Sequence, residues 1–474
     1  MVVGEFTESA DVLIIGGGPG GYVAAIRAAE LGQSVVLVER DAIGGVCLNV
    51  GCIPSKALIS AADQAHQAQL WAERGVMYQG LSLDMDRIQA FRQQTVDRLT
   101  EGVRTLLEGR QVRVIEGEAR FLGPHLVRVV STYESQKIQF EKAIIATGSR
   151  PRALAGLPFD GVRVVSSTEA LAFSQAPEHL VVVGGGYIGL ELGTAWRKLG
   201  SQVTILEATP HLLPGFDREL VRPVERRLGQ LGVRVMTNAR VETARSTDDN
   251  VVLKVTRSDG SEVLEADRVL VTVGRVPNTD ELGLSEAGIT VDGGGFIPVN
   301  ERMATKVPHL YAIGDVTSGP MLAHKASHQG LVAAEAIAGL ASAFDVTAIP
   351  SVIFTDPEIA SVGLTADEAK SQGYDPVVGR FPLAANGRAL TLQETDGQAV
   401  VVADRETGLL LGFHWVGSQA SSVIAEGTLA LEMGATLEDL ALTVHAHPTL
   451  PEAWMEAAMV ALERPVHVLR RPRS

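Results

Sequence analysis

Two cysteines are all that this 474-residue chain contains, and that scarcity excludes a secreted scaffold held by disulfides. Basic residues are also short: 41 against 56 acidic ones leave a formal charge of −15. An acidic chain without a basic stripe argues against nucleic acid and disfavours docking to anionic lipid. No run of eighteen or more apolar residues is free of glycine or charge, so no transmembrane helix is expected. The first ten residues carry two glutamates and no basic residue, and so lack the charged region and apolar run of a signal peptide. The expected location is a reducing cytoplasm, where a disulfide is transient and catalytic. What is present is apolar, 46% by composition, enough for roughly two to four domains with buried cores.

Both cysteines lie in one stretch, GGVCLNVGCIPSK at 44–56, as Cys47 and Cys52. Thiols this close can be bridged if the backbone allows it. A bridge over so short a loop removes little entropy from the unfolded chain, so its use is chemical rather than structural. Zinc binding is the competing chemistry, but zinc needs three or four ligands, and the nearest histidine, His66, stands fourteen residues beyond Cys52 without a partner. Unpaired structural cysteines are the other alternative. The expectation is a redox disulfide and no metal.

Around this stretch the chain repeats itself. Residues 11–39 read strand, glycine turn, helix, strand, with Gly16, Gly18 and Gly21 forming GxGxxG and Glu39 ending the second strand. In that context the pattern is a dinucleotide fingerprint: the helix N-terminus faces a pyrophosphate and the acid accepts from a ribose. Shifted by 168 positions without a gap, Gly184, Gly186, Gly189 and Glu207 repeat it. Each unit has a later strand ending in a glycine turn, AIIATG to Gly148 and VLVTVG to Gly274. The interval to that turn is 42 residues longer in the first copy, roughly the size of the cysteine stretch and its helices. Coming first, and with a remote Gly314-Asp315 to hold a ribityl chain, the first fingerprint is expected to take FAD. The second takes a nicotinamide nucleotide, and Glu207, with no arginine before Arg218, favours NAD over NADP.

The expected architecture is α/β: two Rossmann-like dinucleotide-binding domains and a C-terminal α+β dimerisation domain. The divisions are 1–150 for FAD, with a helical hairpin inserted at 41–110, 151–276 for NAD, 277–348 completing the FAD site, and 349–474 for the interface. Helical spacing of apolar residues marks 54–74 and 85–108 as the hairpin. A strand is expected over 309–316 and a helix over 323–339. In the last domain strands are expected over 351–354, 398–403 and 409–416, and helices over 365–372, 422–433 and 451–462. A thiol exchange also needs a base, because the thiolate is the nucleophile. HAHPTLPE at 445–452 offers His447, with Glu452 as its orienting acid.

GGVCLNVGCIPSK resembles the active-site signature of the pyridine-nucleotide disulfide oxidoreductases. The resemblance extends through GGGPGG at 16–21, GGGYIGLELG at 184–193, AIGDV at 312–316, MLAHKA at 321–326, FTDPEIASVG at 354–363 and HAHPT at 445–449. It implies that Cys47 exchanges with the substrate, that Cys52 lies beside the flavin, and that Glu452 orients the base His447. Lys56 would lie near the flavin and pair with Glu191. Asp315 would hold FAD, Thr147 and Gly148 would line its site, the backbone at Ala323 would approach the ring, and Gly274 would serve NAD. It further implies a homodimer in which the last domain lends His447 to the other subunit's disulfide.

Within the family the closest likeness is to the branch that oxidises dihydrolipoyl groups with NAD, which works with a lipoyl-bearing acyltransferase of 2-oxo acid dehydrogenase complexes. Pro451 departs from the polar residue the family commonly carries there. A glutathione-type reductase would prefer NADP, which Glu207 opposes; a mercuric reductase would carry a further cysteine pair, which the tail lacks. A docking component or redox sensor without turnover is the alternative from another class. Replacing Glu207 with alanine or arginine is expected to move the NAD-to-NADP ratio of kcat/KM toward NADP, by about tenfold or more for arginine. An unchanged ratio in both variants contradicts the NAD assignment.

Overall fold

The computed structural model describes residues 7–132 and 134–469. The first six residues of the acidic N-terminal stretch and the last five of the tail lie outside them.

The two fingerprint units fold alike. Thr7–Ile15, Pro19–Glu30 and Val35–Glu39 form strand, helix and strand in the first, and His179–Val183, Tyr187–Lys198 and Gln202–Leu206 form them in the second. Both helices keep the 168-residue offset at both ends. Each turn begins at a glycine in the left-handed region, Gly16 at φ +104° and Gly184 at φ +112°. A β-carbon there would meet Ala146 O at 2.3 Å or Thr272 O at 2.6 Å, so the turn and the later strand fit only with glycine.

The first sheet runs, in order, Arg113–Glu116, Val35–Glu39, Thr7–Ile15 and Ser135–Ile145, all parallel. The last of these is one long strand with two partners along its far edge: Leu126–Val130 pairs antiparallel with its first half, and Leu310–Ala312 parallel with its end. That second pairing returns the chain from beyond the second fingerprint unit to the first sheet. The second sheet repeats the order as Arg234–Met236, Gln202–Leu206, His179–Val183, Arg268–Val271 and Val164–Val165. Val35–Glu39 is buried at every position, as a strand covered on both faces must be.

Corrections to the sequence reading lie mostly in short elements. The strand expected over 309–316 covers only Leu310–Ala312, and Gly314–Val316 is a 3₁₀ turn. Gly314 sits at φ +74°, which breaks the strand, and its N–H bonds the Gln329 side chain. A short helix, Gly45–Val50, precedes the expected hairpin, which spans Cys52–Ala72 and Met85–Gly109. In the last domain the antiparallel order is Ser351–Ile353, Ile359–Gly363, Leu410–Val416, Gln398–Asp404 and Pro376–Pro382, two strands more than the sequence marked. The helix Glu452–Ala461 lies hard on this sheet: a β-carbon at Gly379 would stand 1.8 Å from Ala457 O. Trp415 and Trp454, with ring centroids 5.1 Å apart, fill the layer between them.

By length and composition the Gly45–Ala72 stretch is apolar enough to cross a membrane, although Gly51, Lys56 and Asp63 interrupt it. Its place here is as a core element: Leu58 and Ala62 share a core with Leu192, Ala195 and Trp196 of the second domain and Ile353 of the last. Gly184→Ala is expected to weaken NAD binding by about tenfold or more while FAD stays bound, and Gly16→Ala to lose FAD. Cofactor content and NAD titration of the two variants check that the two turns serve separate sites.

Candidate active site

The redox segment is seated on the first fingerprint. Gly44 N–H bonds Gly17 O at 2.8 Å, and a β-carbon on Gly45 would fall 2.7 Å from the Gly18 α-carbon. Asn49 ties the short helix back, donating to Ile43 O and Gly45 O at 2.9 Å each. The helix carrying Cys47 breaks at Gly51, and Cys52 opens the next one. Pro54 stands in that helix's first turn, where its missing N–H costs nothing.

The side chains of Cys47 and Cys52 meet and share a hydrogen bond. The Cys47 thiol is pushed up, first because it donates the hydrogen bond shared with Cys52 and then by burial. That same bond lowers Cys52 to about 7 against the opposing effect of burial, with Lys56 adding to the lowering and Glu191 resisting it. Cys52 is exposed and lines a cavity. At neutral pH the arrangement favours a protonated Cys47 beside a Cys52 thiolate at a helix N-terminus.

A cavity of about 770 Å³ joins these sulfurs to the fingerprint. Gly16, Gly18, Glu39, Cys47, Cys52, Lys56, Thr147, Gly148, Asp315 and Ala323 all line it. Gly21 does not: its α-carbon packs on the turn, where a β-carbon would strike Gly16 O at 1.8 Å. Glu39 accepts from Gly17 N–H at 2.6 Å and Asp41 N–H at 2.8 Å, so the acid shapes the turn as well as facing the cavity. Asp315 accepts from Ser149 Oγ at 2.6 Å, and Arg275 Nε donates to that hydroxyl at 2.7 Å. Thr147 and Asn278 lock together through bonds of 2.7 and 3.0 Å. Glycines that admit a backbone approach at one end and a thiolate at the other fit an extended flavin dinucleotide.

The second fingerprint stands apart from this cavity: Gly184, Gly186, Gly189, Glu207 and Gly274 are absent from its lining. Glu207 repeats Glu39's bonds, accepting from Gly185 N–H and Thr209 N–H at 2.7 Å each. Tyr187, first residue of the second helix and 40% exposed, lines the cavity from that side; burial pushes its phenol up.

Lys56 is held on two sides. Its Nζ lies 2.8 Å from Glu191 Oε2 and 4.3 Å from the centroid of the Phe354 ring. The other oxygen of Glu191, 4% exposed, accepts from Phe354 N–H at 2.9 Å. Sequence reasoning quoted the FTDPE run but gave Phe354 no role; nothing in its spacing shows that it meets residues nearly 300 positions earlier.

His447 Nδ1 meets Glu452 Oε1 at 2.9 Å, and the other oxygen of Glu452 accepts from Thr449 N–H at 2.7 Å. Burial alone would raise the Glu452 carboxyl, but Thr449 N–H and His447 hold it below its ordinary range. Pro451 caps the helix in αR geometry, a position that needs no N–H, so the pair forms despite the departure. His447 is 77% exposed on its side chain and does not line the cavity of its own chain. A single chain therefore presents sulfurs and base on separate surfaces. Lys56→Met is expected to move the pH midpoint of Cys52 alkylation, about 7 with the lysine present, upward, since removing a cation disfavours the thiolate. Peptide mapping of the alkylated reduced protein measures it.

The profile of the pyridine nucleotide-disulphide oxidoreductase family matches residues 10–330, and the dimerisation domain of the same family matches residues 349–458. The dihydrolipoyl dehydrogenase of Geobacillus stearothermophilus is 50% identical over 471 residues, covering 99% of this chain and 100% of its own. That of Bacillus subtilis is 48% identical over 471 residues, with the same coverage. Among solved structures, LpdA from Mycobacterium tuberculosis aligns with a TM-score of 0.88 at 28% identity, covering 95% of this chain and 99% of that one. The HOCl-induced flavoprotein disulfide reductase RclA from Escherichia coli aligns with a TM-score of 0.84 at 28% identity, over 94% and 99%.

Proposed function

The chain belongs to the pyridine nucleotide-disulphide oxidoreductase family, and we propose that within it the chain oxidises dihydrolipoyl groups to lipoyl groups and reduces NAD⁺, as dihydrolipoyl dehydrogenases do. The observation that carries this reading is the polarised thiol pair at the end of a dinucleotide cavity. Full-length relatives with that activity support the choice of substrate.

A dihydrolipoyl thiolate attacks Cys47 of the oxidised pair, the Cys47–Cys52 bond breaks, and Cys52 leaves as the thiolate. The Cys52 helix start and Lys56 stabilise that leaving group. His447 removes the proton from the second dihydrolipoyl sulfur, which attacks its sister sulfur in the mixed disulfide and closes the lipoyl ring. The departing Cys47 takes the proton back, leaving the dithiol form of the pair, with Cys47 as the thiol and Cys52 as the thiolate. FAD, when bound, supplies the two-electron carrier between that dithiol and NAD⁺. Glu207 receives the ribose 2′-hydroxyl of NAD and repels a 2′-phosphate.

The chain carries a dimerisation domain. Because His447 does not line its own chain's cavity, the base for each thiol pair comes from the second protomer of a homodimer. The physiological substrate is the dihydrolipoyl group on an acyltransferase of a 2-oxo acid dehydrogenase complex, in the cytoplasm.

The test is NAD⁺ reduction by dihydrolipoamide. Wild-type protein is expected to turn over, and His447→Gln to lose about 10²- to 10⁴-fold in kcat. Coexpressed Cys47→Ser and His447→Gln chains are expected to regain activity, since one mixed-dimer site then holds both a whole thiol pair and a whole base. No recovery would place the base within one chain, and a wild type that forms no NADH would overturn the assignment.

A further inference from the structure

The Lys56–Glu191 pair has a counterpart two turns along the same two helices. Lys198 Nζ donates to Asp63 Oδ1 at 2.6 Å, and each pair joins residues 135 apart in sequence. Equal offsets mean that the Cys52–Ala72 and Tyr187–Lys198 helices run parallel and in register, with about 10.5 Å of helix between the pairs. The polarity reverses between them: the redox helix gives the cation to the first pair and the anion to the second. Sliding it by that interval would set Lys56 against Lys198 or Asp63 against Glu191, so the charges admit one register. Leu58 and Ala62 fill the seam between the pairs.

One segment of the last domain clasps both pairs. Phe354 N–H bonds Glu191, and two residues later Asp356 Oδ2 lies 2.7 Å from Lys198 Nζ. Lys198 is 4% exposed on its side chain and does not line the cavity. Arg227, 3.7 Å from Asp356 and 3.8 Å from Glu394, completes the cluster, and burial pushes the Glu394 carboxyl up toward its neutral form. Burial would depress the Lys198 ammonium, but Asp356 and Asp63 outweigh it and keep the charge.

We propose that Lys198 is a positioning residue for the thiol chemistry: by tying Asp63 to Asp356 it fixes the register of the redox helix, and with it the placement of Lys56 and Cys52 at the cavity wall. This rests on the thiol–disulfide reading above. Removing the cation leaves Asp63 and Asp356 facing each other and releases the helix to shift, and small displacements of reacting groups carry large rate costs.

The experiment uses the full-length holoenzyme with Lys198→Met and, as a milder change at a half-exposed partner, Asp63→Asn. Two readouts are taken: the pH midpoint of Cys52 alkylation in the reduced protein, and kcat and KM for dihydrolipoamide with NAD⁺. Lys198→Met is expected to raise the midpoint and lower kcat about tenfold, with FAD content and KM for NAD⁺ unchanged. Asp63→Asn is expected to move both in the same direction by less. A folded Lys198→Met with the wild-type midpoint and kcat overturns the proposal. Should that variant not fold, a wild-type midpoint and kcat in Asp63→Asn overturns it. Wild-type protein inert toward dihydrolipoamide would instead sink the functional reading, and the alkylation midpoints would still decide the register claim.

Discussion

A thiolate inside a protein cavity is costly unless fixed charges and hydrogen bonds replace the water it gives up. Cys52 is supplied with these from separate directions: the Cys47 thiol, the start of its own helix, and Lys56. The lysine cannot turn away, because Glu191 holds its ammonium and the Phe354 ring covers it. Burial, and to a lesser degree Glu191, work against the thiolate, so Cys52 settles near neutrality instead of far below it. That balance suits a sulfur that must be both a good leaving group and a usable electron donor. It also joins the fold, since the three residues come from the inserted hairpin, the NAD-side helix and the segment entering the last domain.

The duplicated units show one backbone solution used twice. Glu39 and Glu207 each grip the N–H of the turn's second glycine, at 2.6 and 2.7 Å, which couples the strand-end acid to the shape of the phosphate turn. The copies differ in what their turns face. The first opens onto the sulfurs, because Gly45 can approach Gly18 with no side chain between them. The second does not line the cavity, which it meets through Tyr187, Ile188, Glu191 and Leu192 of its helix and through Arg275.

Much of this was legible in the sequence. Long periodic helices, the 168-residue repeat and the cysteine stretch carry local signals that survive folding unchanged. Three short helices did not, because Gly45–Val50, Gly387–Leu392 and Leu437–Leu442 are too short to show a period. Strands such as Glu118–Gly123 and Pro376–Pro382 were missed because their alternation is mixed with glycine, proline and charge. Resemblance to the family pointed to Lys56 beside Glu191 and His447 beside Glu452, and the structure brings each pair together. Neither spacing nor resemblance pointed to Phe354 or Lys198, whose partners meet them only through tertiary contact.

The central claim is that the Cys47–Cys52 sulfurs accept two electrons from a dithiol and hold them beside FAD. Anaerobic titration of the oxidised holoenzyme with dihydrolipoamide, following visible absorbance and counting thiols after denaturation, tests it most directly. One equivalent per chain should release two thiols and raise a long-wavelength absorbance that Cys52→Ser lacks. Flavin bleaching with no new thiols, or the same absorbance in Cys52→Ser, would contradict the account.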